Sequence, residues 1–428
     1  MKRKSIVEIV YNQNLLGMKR KSFIKMIALS LMTLLSMGGL TACGSDDDGG
    51  QGNIPDPSDD PTPDVFHPIN ASTRPLLEVK EYTAYDPTEL VETIIKWPMI
   101  TYAGETVANF LRPMLNLSVS RRMPQMDDLF AQRVGTAPDG SRQWNLRRYV
   151  FTYKSVSGST GNDTILTGSV IFPTNTVGKP HEVDVLTLYH HQAYFDDSWL
   201  ASQAVTLMAM HTMHNSAVIE PDGQGAKSEM ETLITENLQG DLTALQMADC
   251  VLAALEVMRN QGVTLAAGGY SNNWGTSLGA TATAGFAQYM DNDATTDLKQ
   301  LFRVRASYMG EGPTQISQLN GYEHVWENPP VQKFQVGWNP RHPFYISTCP
   351  NDELIKYDEL KKYYNKLRLM PDGSLDTNVH WIDLNVPHLP IEQEIDEEVG
   401  NHLLSAVITL LYISLVKDPS EIVRAQDE

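Results

Sequence analysis

Gly275-Thr276-Ser277-Leu278-Gly279 is the segment of this chain best suited to nucleophilic chemistry. It reads G-x-S-x-G between a strand-like run near 268–274 and a small-residue helical run at 278–290, the context that gives the pattern weight. A serine presented on a sharp strand-to-helix turn has a strained backbone, so the positions two before and two after it must lack bulk. The run from Ala280 to Gly285 is nearly all small, which lets the helix lie close against a sheet. Its first turn aims unbonded N–H groups and the positive end of the helix dipole at the reacting centre. Six residues earlier, Gly269-Tyr270-Ser271 begins a similar pattern, but Asn272-Asn273-Trp274 supply no glycine two residues after the serine. Ser277 is therefore the expected nucleophile and Ser271 the alternative.

Such a turn needs a sheet to carry it, and the hydrophobic patterning from residue 144 onward supplies one. Arg147–Ser155 and Thr164–Phe172 read as paired strands separated by a Ser/Gly/Asn turn. Val183–Tyr189, Ala217–Glu220, 302–308, His342–Ser347 and Val379–Leu384 read as further strands. Between them lie helical patterns at Ser198–Met213, Leu242–Asn260 and Tyr357–Leu367, and Gly400–Val416 closes the chain. Strands interleaved with helices predict an α/β fold, a mostly parallel sheet with helices on both faces. Residues 65–143 read as an irregular extension with short helices at 88–96 and 104–115, packing on a domain that spans 144–428.

The turn, the alternation and the order of polar loop residues together resemble the α/β-hydrolase family, in particular its secreted lipase-like and esterase-like members. The resemblance covers about 144–416. It implies a triad in the order serine, acid, histidine. Asp352, in the loop after the strand at His342–Ser347, matches the acid, with Glu353 as the adjacent alternative. His388, in the loop ahead of the closing helix, matches the base; His380 and His402 read as structural. The resemblance places the oxyanion donors at the backbone N–H of Leu278 and in the loop beginning Tyr189-His190-His191-Gln192, where Gln192 is the suggested second donor. That loop lacks the glycine often found there. His190 and His191 are adjacent and project differently, and no third ligand accompanies them, so no metal is expected. No cofactor is implied. The expected activity is cleavage of a carboxylic ester of a small molecule, glycan or lipid. A serine peptidase and a catalytically inactive surface binding protein on the same fold are the alternatives.

The termini and composition bound the setting. Lys and Arg total 33 against 52 Asp and Glu, a net charge of −19. Residues 1–42 carry seven basic residues and one Glu, a net of +6, which leaves −25 on the remainder (−19 minus 6). An acidic body repels phosphate backbones, so nucleic acid is not an expected partner. Met18 opens a second start-like segment with a basic stretch, an apolar run from Met26 to Met37, and Leu40-Thr41-Ala42-Cys43, which has the anatomy of a signal peptide. The last four residues resemble the lipobox of bacterial lipoproteins, which implies lipidation of Cys43 and a membrane anchor without a spanning helix. Gly44-Ser45-Asp46-Asp47-Asp48 resembles the surface-export signal of Bacteroidetes lipoproteins, implying exposure outside the outer membrane; a plain solvated tether is the alternative. Residues 43–64, poor in apolar side chains, read as a flexible acidic linker. Cys250 and Cys349 read as buried thiols.

Overall fold

A computed structural model of the chain describes residues 75–96, 105–156, 163–191, 209–221, 240–292, 294, 296–313, 338–384, 402, 405, 409, 413 and 416–419. In chain order the elements are β1 (Leu76–Tyr85), α1 (Leu90–Ile95), α2 (Glu105–Val134), β2 (Trp144–Val156), β3 (Asp163–Asn175), β4 (His181–His190) and β5 (Ser216–Pro221). They continue with α3 (Gly240–Asn260), β6 (Val263–Thr276), α4 (Leu278–Asn292), α5 (Thr296–Leu301), β7 (Arg303–Gly310), β8 (Phe344–Thr348), α6 (Tyr357–Arg368) and β9 (Val379–Asp383). His402, Ser405, Thr409 and Ile413 are helical and buried. Their spacing of three, four and four puts them on one face of a closing helix.

Among the described residues nine strands form one sheet in the order β1-β2-β3-β5-β4-β6-β7-β8-β9. The first pairings, β1–β2, β2–β3 and β3–β5, are antiparallel, and those from β5 through β9 are parallel. The expected α/β arrangement with an antiparallel start is thus present. β4 lies between β5 and β6, so the chain moves out to one side of β4 and returns on the other. Such a reversal opens a crevice at the carboxyl ends of the parallel strands. β4, β6, β7, β8 and β9 all point their carboxyl ends to that one edge of the sheet.

The extension differs from the expected irregular segment. Its residues 76–85 form β1 and lengthen the sheet by an edge strand, paired with β2 from Leu76↔Tyr153 to Tyr85↔Leu146. Charged residues interleave with Leu77, Val79 and Tyr82, which are all more than two-fifths exposed, so no clean apolar face marks the strand. α2 runs for 30 residues through Pro113 and Pro124, where a sequence pattern reads breaks. Both prolines lie on exposed positions, where water can take the backbone hydrogen bonds they forgo.

Two buried clusters flank the site-bearing strands. One joins α3 to β2, β3, β4 and β5 and includes Phe286, Tyr289 and Met290 of α4. The other joins Leu278, Ala280, Ala284 and Ala287 of α4 to β8 and α6. α4 is therefore buried on both sides, which explains its small residues: only a thin helix fits between two cores. α3 is likewise buried along most of its length rather than being half-exposed. Cys250 and Cys349 are both buried. Phe286, fully buried in the first cluster, tests the packing of α4. Phe286→Ala should cost about 3–5 kcal/mol, read as a lower urea midpoint with an unchanged slope.

Candidate active site

β6 delivers Ser277 into the crevice. Ser277 has φ +55°, a left-handed conformation that costs a non-glycine residue on the order of 1–3 kcal/mol. The surrounding contacts hold it there. Its N–H donates to the carbonyl of Gly310 at 2.9 Å, and its own carbonyl accepts from Ala280 N–H at 2.9 Å. The two motif glycines are required by close backbone approach. A Cβ on Gly275 would lie 2.1 Å from the Gly279 carbonyl oxygen, and one on Gly279 would lie 2.1 Å from that of His190. Both obstacles are backbone atoms, which no side-chain rotation removes. The end of β4 is thereby pressed against the first turn of α4, beside the serine. Leu278 opens α4, where N–H groups have no partner within the helix.

Ser277 and Asp352, the expected nucleophile and acid, both contact one imidazole, that of His402. His402 Nε2 lies 2.9 Å from Ser277 Oγ, and His402 Nδ1 lies 2.9 Å from Asp352 Oδ2. His388, expected as the base, lies outside the described residues, and its place beside Ser277 is taken by His402, on the closing helix. A histidine at the start of a buried helix face is held in position by packing, which a loop histidine must achieve by other means. Asp352 is positioned just as firmly. Its Oδ1 accepts the N–H groups of Leu354 and Ile355, each at 2.9 Å, leaving Oδ2 for the imidazole. Glu353 acts on the backbone instead, its Oε2 accepting the N–H of His402 at 3.2 Å. The acid beside the imidazole is therefore Asp352.

The electrostatics follow from this enclosure. Burial of His402 disfavours its protonated form, but the neighbouring carboxyl groups, with the charge and hydrogen bond of Asp352 first among them, together outweigh burial, so its pKa lies above the ordinary 6.5. His190 has no such partner charge, and burial lowers its pKa to about 3. It is a neutral core histidine. Among the described residues no group of His, Cys, Asp and Glu is arranged to hold a metal ion. Gln192, suggested as the second oxyanion donor, lies outside the described residues, as does Cys43.

Ser271, the alternative nucleophile, is fully buried within β6, and its Oγ donates to Asn273 Oδ1 at 3.3 Å. It is paired with Leu186 and Val304 on the neighbouring strands, away from the turn that meets His402. A different Ser/His/Asp chain does exist. Ser307 Oγ lies 2.9 Å from His342 Nε2, and His342 Nδ1 lies 3.4 Å from Asp291 Oδ1. Ser307 is fully buried inside β7, on an ordinary extended strand with no helix start beside it. His342 precedes β8, at the opposite edge of the sheet from Ser277. Asp291 also accepts from Trp338 Nε1 at 3.1 Å and from Arg341 N at 3.0 Å. That chain fastens the entry of β8 to α4.

The strand order, the reversal at β4 and the strained serine after β6 decide the architecture. This is the α/β-hydrolase fold. No protein-family model matches the sequence, and no curated protein does. Among solved structures, a candidate hydrolase from Legionella pneumophila aligns with a TM-score of 0.49 at 13% identity, over 82% of this chain and 99% of its own. The rice cell wall degrading esterase LipA from Xanthomonas oryzae, in a ligand-bound form, aligns at 0.49 with 12% identity, over 79% of this chain and 97% of its own. Candida antarctica lipase A in its closed state aligns at 0.40 with 13% identity, over 56% and 73% respectively. These scores lie below 0.5, so the α/β-hydrolase assignment rests on the strand order and the turn.

The contrast between the two Ser/His/Asp chains is testable. His342→Ala leaves Ser307 and Asp291 short of a buried partner and should cost about 1–3 kcal/mol in urea unfolding. The reactivity of Ser277 toward a fluorophosphonate should stay within about twofold of the parent chain.

Proposed function

We propose that this protein is a serine hydrolase that cleaves carboxylic esters through Ser277, His402 and Asp352. The single observation that carries the reading is the pair of 2.9 Å contacts on opposite nitrogens of one buried imidazole, next to a serine held at positive φ. In the first step His402 Nε2 takes the proton of Ser277 Oγ as that oxygen bonds to the ester carbonyl carbon. The carbonyl π pair moves onto oxygen, where the N–H of Leu278 stabilises it. Collapse of this intermediate expels the alcohol, which takes the proton from His402, and leaves an acyl-Ser277. Water repeats the cycle: its proton passes to His402, the acyl–oxygen bond breaks, and Ser277 recovers its hydrogen. Asp352 holds the Nδ1–H tautomer and stabilises the imidazolium. The substrate in this reading is an ester of a small molecule, glycan or lipid, and a lipid anchor at Cys43 holds the enzyme at the outer face of the outer membrane.

Fluorophosphonate labelling of the full chain, followed by peptide mapping, tests the assignment. Label is expected on Ser277 and should vanish in Ser277→Ala. It should slow by at least about 10³-fold in His402→Ala, while His388→Ala labels like the parent. Label on another serine, or loss in His388→Ala with retention in His402→Ala, would refute it.

The pH dependence has a definite sign. The attacking form needs neutral His402, and the pKa of His402 is raised, so kcat/KM should climb with pH along an acid limb centred above 6.5. Asp352→Asn removes the largest of the charges that oppose burial. It should move that limb to lower pH and reduce kcat on the order of 10³–10⁴-fold, as read from a pH–rate profile on p-nitrophenyl acetate.

A further inference from the structure

A second strained residue lies beside the first. Glu311, just after β7, has φ +41°, and no glycine relieves it. The segment around it is pressed onto the serine turn. Gly310 accepts the N–H of Ser277, and a Cβ on Gly312 would lie 2.0 Å from the Ala280 Cβ and 2.4 Å from the Ser277 carbonyl oxygen. The Glu311 side chain is fully buried. Its Oε1 accepts two hydroxyl hydrogen bonds, from Ser347 Oγ at 3.2 Å and from Thr409 Oγ1 at 2.8 Å. Its N–H donates to the Ser347 carbonyl at 2.9 Å.

These contacts reach every element that carries part of the proposed site. Gly310 supports the turn of Ser277, Ser347 belongs to β8, which leads to Asp352, and Thr409 is on the helix that carries His402. We infer that Glu311 is a positioning residue that locks the helix of His402 in rotation and register against the strand leading to Asp352. This inference rests on the reading of Ser277, His402 and Asp352 as the reacting groups.

The brace at Glu311 acts on a different degree of freedom from the described contacts near the two ends of the helix. Glu353 accepts the N–H of His402, and at the far end Asn272 Nδ2 donates to the Lys417 carbonyl at 2.9 Å. Contacts at the two ends set where the helix lies. Thr409 stands seven residues after His402, two turns on the same face, so its hydrogen bond sets how the helix is turned about its axis. A turn of one residue position swings a side chain through about 100° and would carry His402 Nε2 away from Ser277. The chemistry of the carboxyl suits this role. Burial raises the pKa of Glu311 to about 8, which favours the neutral acid at pH 7, and its Oε1 accepts both hydroxyls. The amide of glutamine has the same shape and the same acceptor.

The experiment is a set of full-chain variants, Glu311→Gln, Glu311→Leu and Thr409→Val, assayed on p-nitrophenyl acetate for kcat and KM separately and for the rate of fluorophosphonate labelling. Thr409→Val, nearly isosteric, should lower kcat and the labelling rate by about tenfold or more, with KM within about twofold. Glu311→Leu should do at least as much, and Glu311→Gln should restore kcat to within about threefold of the parent. The inference falls if Thr409→Val keeps the parental kcat, if KM rises in step with falling kcat, or if Glu311→Gln is as impaired as Glu311→Leu. A fold collapse in Glu311→Leu, read by circular dichroism, leaves Thr409→Val and Glu311→Gln to decide. If the parent chain itself takes no label on Ser277, the triad reading has failed, an outcome distinct from a labelled parent with an unaffected Thr409→Val.

Discussion

The left-handed turn at Ser277 is the constraint from which the surrounding structure follows. A side chain at positive φ sits high on the turn with its hydroxyl clear of the strand, but the conformation persists only where neighbours over-determine it. Here β4 ends against the first turn of α4, β7 offers a carbonyl to the serine N–H, and glycines at 275 and 279 remove the atoms that would collide. The small residues of α4 have the same origin, since a bulkier helix would separate the two clusters it divides and lift its own first turn off β4. Local strain, helix composition and strand order are one arrangement seen at three scales.

The imidazole adds a long-range requirement. His402 joins Ser277, 125 residues earlier, to Asp352, 50 residues earlier, so its position depends on how β7, β8 and the closing helix dock together. The Asp352 loop meets this need by dividing its labour. One carboxylate oxygen is occupied by backbone N–H groups and the other faces the imidazole, while Glu353 accepts the backbone N–H of His402. Neighbouring acids in sequence thus fix two things together: the ring and the helix that bears it.

Legibility in the sequence followed the strength of local patterning. Most strands from β2 to β9 are readable as β-rich or apolar runs bounded by turn residues, β6 is readable from its place before the turn, and the turn at Ser277 is readable because steric need imposes a pattern of glycines. Asp352 was reached through its place after β8. β1 escapes because its side chains are mostly exposed, so burial does not enforce alternation, and α2 escapes because its two internal prolines mimic helix ends. His402 was misread for an instructive reason. A histidine within an apolar helix looks like a core residue, whereas one in a loop looks available. The signal that finds it is its company: His402, Ser405 and Thr409 fall on one face of an otherwise apolar helix, and aligned polar groups on a buried face need partners across the interface. The partners of His402 and Thr409, which are Ser277, Asp352 and Glu311, are scattered over three loops, and only the folded chain assembles them.

The placement of β1 has a mechanical consequence. It is the outermost strand, and counting across β2, β3, β5 and β4 puts it five strand spacings from β6, roughly 24 Å at the usual inter-strand distance. Any tension on the chain ahead of residue 75 is transmitted into the sheet at this edge, where the β1–β2 ladder bears it first. The strands that hold the serine, the acid and the closing helix lie beyond that ladder. The geometry that joins Ser277, His402 and Asp352 is therefore set back from whatever force acts on the upstream chain.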